Sequence, residues 1–156
     1  MRLIQVFFIF LLLNVSAYAD SVFSLPLKTD SGQIKLSEYK GKVIYLDFWA
    51  SWCIPCRKSF PWMNEIEKRY ADKGFKVIAV NLDQEQDKAK DFLKKIPAQF
   101  TVAYDPEGVS ATAFKVKGMP STYLIDRNGK IVFSHIGFRK KEIPAMEEKI
   151  KQLLKK

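Results

Sequence analysis

The 156-residue chain is 47% hydrophobic and 28% charged, with 7 glycines and 7 prolines, a composition that excludes a disordered chain, a collagen-like repeat and a polytopic membrane protein. The length supports one domain around one core. The 26 Lys and Arg against 17 Asp and Glu give a net charge of +9; much of the excess lies in 139–156, where a solvated helix face is the plain reading and attraction to anionic headgroups or an acidic partner the alternative. No nucleic-acid motif accompanies the charge, so no nucleic-acid partner is expected.

The chain opens on Arg2, an apolar run over 3–13 broken only by Gln5, and Ala17-Tyr18-Ala19. These are the charged, apolar and small-x-small parts of an export signal, with cleavage expected after Ala19. The apolar run, about 11 residues against the ~20 that a bilayer requires, makes a permanent anchor the poorer reading. The mature domain is then 20–156. Alternation over 22–28 and 33–36 predicts a hairpin around Asp30-Ser31-Gly32. Val43–Trp49, reading Val-Ile-Tyr-Leu-Asp-Phe-Trp, is nearly all apolar strand formers, as for a strand covered on both faces.

A helical stripe of Phe60, Met63, Ile66 and Tyr70 follows over 54–73, with Gly74 as its stop and Pro61 expected to kink it. A buried strand over 75–82 completes a parallel strand-helix-strand unit with a right-handed crossover. Next come a helix over 84–96 with Asp83 as its N-cap, a strand over 100–104, and a short helix within 106–115. Strands over 122–125 and 131–136 flank Asp126-Arg127-Asn128-Gly129, an antiparallel hairpin signalled by Asn-Gly. The last helix has Ile143, Met146, Ile150 and Leu153 inward and Pro144 in its first turn. The sum is a single α/β domain, a mixed sheet sandwiched by helices with an N-terminal hairpin extension.

Export places the two cysteines in an oxidising compartment, where a pair normally staples a long loop. Cys53 and Cys56 enclose only Ile54 and Pro55, so joining them removes little unfolded-state entropy. Their position suggests chemistry instead. Cys53 falls where the central strand turns into the helix, among unpartnered N–H groups and at the positive end of the helix dipole, which favours a thiolate. Cys56, at i+3, faces the same side at a Cα separation of about 5 to 6 Å that a disulfide can span.

Phe48-Trp49-Ala50-Ser51-Trp52-Cys53-Ile54-Pro55-Cys56, followed far downstream by Gly118-Met119-Pro120-Ser121-Thr122 before a hairpin, resembles the thioredoxin superfamily. The hairpin leading into Leu36-Ser37-Glu38-Tyr39-Lys40-Gly41-Lys42 is similar to its exported TlpA/ResA branch of thiol:disulfide oxidoreductases. The resemblance spans nearly all of the mature chain. It implies Cys53 as the attacking thiolate, Cys56 as the buried resolving thiol, and Trp52 shaping the surface beside them. It also implies Pro120 as a cis-proline against the disulfide, with the Met119 backbone pairing with an extended substrate segment. Such an edge can capture a peptide as an added strand.

Asp47 is a carboxylate inside an apolar strand and must be hydrogen-bonded or partly protonated. The resemblance makes it the proton acceptor for Cys56. A lysine from the neighbouring strand usually accompanies this aspartate, and Ala79 stands there by alignment; Glu85 is a weaker candidate for the same task.

The resemblance further implies protein disulfides as substrates, apocytochrome c among them, a membrane electron donor of the DsbD/CcdA kind, a monomer, and no cofactor or metal beyond the Cys53-Cys56 disulfide. The sole histidine, His135, reads as a half-buried structural residue. Its rival role is Cu(I) delivery with Cys53 and Cys56, as in exported copper proteins of this fold that space their cysteines one residue wider. Of the tryptophans, Trp49 is expected in the core and Trp52 on the rim, while Trp62 is open. Arg57 and Lys58 add modest positive potential or are simply solvated.

Overall fold

In the computed structural model, which describes residues 22–156, the strands are β1 (Pro26–Thr29), β2 (Gly32–Lys35), β3 (Val43–Trp49), β4 (Phe75–Asn81), β5 (Thr101–Tyr104), β6 (Ser121–Ile125) and β7 (Ile131–Ile136). They form one mixed sheet in the order β2-β1-β5-β4-β3-β6-β7. The expected leader and its cleavage point after Ala19 lie outside the described residues. Strand β3, buried at every position, runs parallel to β4 and antiparallel to β6. Its period of two sends Tyr45 and Trp49 to one core and Ile44, Leu46 and Phe48 to the other.

Helices α1 (Ile54–Tyr70), α2 (Gln86–Lys95), α3 (Val109–Ala113) and α4 (Ile143–Leu154) cover the sheet. Helix α1 packs its expected stripe of Phe60, Met63, Ile66 and Tyr70 beneath Tyr45 and Trp49, with Ile150 of α4 joining the same core. Fully burying a side chain such as Phe60 or Met63 stabilises the fold by about 1.5 to 3 kcal/mol. Pro61 lies inside α1, and Gly74, in the left-handed region at φ 80°, ends the 3₁₀ turn that follows the helix. On the opposite face Phe114 meets Phe23, Phe48 and Tyr123.

The first strand is shorter than its alternation suggested: pairing begins at Pro26–Lys35, and Val22 and Phe23 are buried in the second core instead. The outer hairpin joins the sheet through Lys28 opposite Tyr104 of β5. Asp83 is not the N-cap of α2. That position belongs to Glu85, whose side chain makes no capping bond, because Asp83 is drawn back to the end of β4 by donors described below. Helix α3 takes its N-terminal carboxylate from Asp105, which accepts from the N–H groups of Val109, Ser110 and Ala111. In α4, Ile150 is fully buried, and Ile143, Met146 and Leu153 pack partly buried against the same core.

Candidate active site

The strand-to-helix turn after β3 carries the site. Cys53 is the N-cap of α1 and is disulfide-bonded to Cys56 across a Cα separation of 5.3 Å. Pro55 in the first turn has no N–H to offer. The N–H of Cys56 therefore points at the N-cap side chain, 3.3 Å from Sγ of Cys53. That N–H and the positive end of the helix dipole face this sulfur, surroundings that favour a thiolate over a thiol. Cys56 is fully buried and Cys53 is 3% exposed, whereas Trp52 and Ile54 are each 67% exposed. Two apolar side chains thus stand beside a nearly covered disulfide.

The turn is held from the side by Asp83. Its buried carboxylate accepts from the Ser51 N–H at 2.8 Å, the Ser51 hydroxyl at 2.9 Å and the Asn81 amide at 2.7 Å. Three donors leave this charge well solvated by protein, so capture here outcompetes an N-cap role on α2. Arg57 adds a bond to the Ser51 carbonyl and lies over the Phe92 ring.

Just ahead of β6, the Met119–Pro120 peptide bond is cis. The β3–β6 ladder ends at Phe48–Ser121, so Met119 stands beyond the last pair. The Pro120 carbonyl is taken by the Gly137 N–H, and the Ser121 hydroxyl donates to the Gly118 carbonyl.

On β3, Asp47 is completely buried, and its place two residues from Tyr45 and Trp49 puts it on their side of the sheet. Its Oδ1 accepts from the Thr122 hydroxyl at 2.7 Å, and its Oδ2 has no hydrogen-bond partner among the described residues. Ala79 is its register neighbour on β4, so no lysine accompanies it from that strand. Burial pushes the carboxyl up from 3.8 to about 7, against the smaller downward pull of Thr122. The Tyr45 phenol, 3.2 Å from the Thr122 hydroxyl, is pushed well up by burial and by the neighbouring Asp47 charge. Glu85, the weaker candidate for the same task, is exposed and ion-paired with Lys88; it is not brought to the cysteines.

His135 is half-buried on β7, stacked on Phe133 and 3.2 Å from Glu142. The structure does not gather it with the cysteines: among the described residues no three or more His, Cys, Asp or Glu could hold a metal ion together. Trp49 is core and Trp52 rim, while Trp62 is buried against Tyr45 and donates to Glu147. Sequence reasoning missed Asp83 as the anchor of the turn, and Thr122 and Tyr45 around Asp47. Only Tyr45 had a local signal, since residues two apart on a strand share a face.

A family model described as Redoxin matches residues 17–154. A thiol-disulfide oxidoreductase ResA of Bacillus thuringiensis subsp. konkukian is 36% identical over 121 residues, 78% of this chain and 69% of that protein. Among solved structures, a Chlorobium tepidum protein described as the thiol:disulfide interchange protein DsbE superposes with a TM-score of 0.82 at 52% identity, covering 83% of this chain and 92% of the other. An exposed lipoprotein thioredoxin of Streptococcus pneumoniae superposes with a TM-score of 0.72 at 34% identity, covering 83% and 98%.

Proposed function

The chain belongs to the Redoxin family and is a thiol:disulfide oxidoreductase, and we propose that it works in the periplasm, in the reducing direction, on disulfides of exported proteins. The observation that carries this reading is the Cys53–Cys56 pair at the start of α1, with a buried carboxyl, Asp47, on the strand that feeds it.

The Cys53 thiolate attacks the substrate disulfide and forms a mixed disulfide, and one substrate sulfur leaves as a thiol. Cys56, giving its proton to Asp47, then attacks Cys53, frees the second substrate sulfur and closes the internal disulfide. Trp52 borders the approach, and the Met119 edge beside Pro120 aligns the substrate segment. Ile54-Pro55 puts no charge or side-chain donor between the cysteines to stabilise the thiolate beyond the helix terminus, which favours a reductant over an oxidant. An exported reductant needs electrons from across the membrane, so a donor of the DsbD/CcdA kind re-reduces the pair. Apocytochrome c disulfides are the substrate class that the resemblance to the TlpA/ResA branch favours, and the leader expected at 1–19 supplies export.

Replacing Cys56 tests the reading directly. Reduced Cys56→Ser protein should accumulate stable mixed disulfides through Cys53, and their partners identify the substrates; a variant that traps nothing removes the enzymatic role. A redox titration tests direction, with a midpoint well below that of periplasmic oxidants expected. A potential among the oxidants would reverse the assignment.

A further inference from the structure

Asp47, Thr122, Tyr45 and the cysteines share one face of the sheet. Asp47 alternates with Tyr45 and Trp49, which lie in the core cluster that contains Cys53 and Cys56, and Thr122 sits opposite Asp47 across the β3–β6 ladder. A threonine hydroxyl has one hydrogen to donate. Thr122 spends it on Oδ1 of Asp47 at 2.7 Å, so in the 3.2 Å contact between Thr122 and the Tyr45 phenol it is the phenol that donates. The result is a chain with a fixed direction, from the Tyr45 O–H through the Thr122 O–H to Oδ1, and each link polarises the next. The carboxylate's other oxygen, Oδ2, is outside that chain.

We propose that Thr122 is a positioning residue for the second half of the exchange: by occupying Oδ1 it reserves Oδ2 of Asp47 as the atom that receives the proton of Cys56. The inference rests on the reading of Asp47 as proton acceptor and assigns what orients it. With uncharged Ala79 beside Asp47 on β4, the hydroxyl chain takes the part of a cationic neighbour, and Thr122 is the group that pulls the carboxyl back down against its burial. Once Cys53 holds the substrate, the Cys56 thiol gives its proton to Oδ2 and its sulfur attacks Sγ of Cys53. The bond from Cys53 to substrate breaks, and its electron pair leaves with the substrate thiolate. Over both steps two electrons pass from the cysteine pair to the substrate disulfide.

The other titratable groups around this carboxyl are accounted for. Tyr45 is on its own strand, and Cys53 and Cys56 come from α1. His135 lies one strand further in the same cross-strand row, opposite Thr122 and beside Glu142. From α4, Glu147 is engaged by the Trp62 indole and by Arg69.

The test separates the two thiols in time. Reduced protein mixed with the chromogenic disulfide dithiobisnitrobenzoate releases one coloured thiolate when Cys53 attacks and a second when Cys56 resolves. Thr122→Val keeps the shape and removes the hydrogen bond. It should slow the second release about tenfold relative to the first at pH 7 and move its pH profile alkaline by about one pH unit. Thr122→Ser should restore both, and Tyr45→Phe should shift the profile the same way by less. The carboxyl NMR titration of Asp47 in the reduced protein should follow, with its midpoint raised in the valine variant. A valine variant with the wild-type profile and midpoint overturns the role of Thr122. Asp47→Asn distinguishes the levels: if it leaves the second release and its pH profile unmoved, the acceptor reading falls and takes this one with it. A second release that collapses in Asp47→Asn but is untouched in Thr122→Val sinks the Thr122 role alone.

Discussion

Two carboxylates are buried on the side of the sheet that α1 covers, Glu67 from α1 itself and Asp47 from β3, and they have opposite surroundings. Glu67, near the C-terminal end, accepts from the Val77 N–H at 2.6 Å and from the Lys76 ammonium at 2.9 Å. Strand β5 begins only opposite Ile78, so the Val77 N–H lies beyond that ladder and the glutamate takes it. Asp47, on β3, has a single hydroxyl on one oxygen and nothing charged beside it in register. Burial is common to both; the number and charge of the donors is not. A carboxylate with a cation and a backbone N–H is a structural fastening, whereas one left short of donors holds its proton tightly enough to trade it near neutral pH.

The largest effect that would break or sharpen this contrast is in the pH dependence of stability. Asp47 keeps its proton to about pH 7 when folded, against an ordinary value of 3.8. Between these values the folded state binds more protons than the unfolded one, so stability falls as pH rises through the window. Oxidised wild type should lose ~4 kcal/mol relative to Asp47→Asn between pH 4 and pH 8, about three pH units at 1.4 kcal/mol each. Urea unfolding of both proteins at the two pH values checks this, and parallel pH curves would refute it. The same substitution should slow disulfide exchange while leaving the protein folded.

Glu67→Ala should do the reverse, with a somewhat smaller effect. It strands the Val77 N–H and the Lys76 ammonium and should destabilise the fold by about 3 kcal/mol. Insulin disulfide reduction per folded molecule should stay within about twofold of wild type, since the lost bonds fasten structure. A displaced pH profile of activity in this variant would mean that the two acids are coupled after all.

Much of this was legible in the chain because it rests on short-range pattern. Val43–Trp49 reads as a covered strand from its own residues, the stripe from Phe60 to Tyr70 marks the face of α1, and Asn128-Gly129 announces the last hairpin. The cysteine pair is local too, because residues at i and i+3 meet on one helix turn. Asp83 defeated the local reading: it precedes α2 and looks like a cap, yet Ser51 and Asn81 bid for the same oxygens with three well-placed donors. Glu67 gave no local sign that it would serve a strand N–H ten residues away.

What the sequence by itself determined is the framework and the cysteine pair: a covered strand feeding a helix, with one cysteine at the join and a second one turn later, all governed by interactions within a few residues. Tertiary structure alone decided how the buried acid on that strand behaves, since the hydroxyl on Asp47 arrives from a strand 75 residues downstream. Backbone propensity acts over a turn or a strand, but the proton affinity of a buried carboxyl is set by how completely water is removed and by which donors distant strands bring to it.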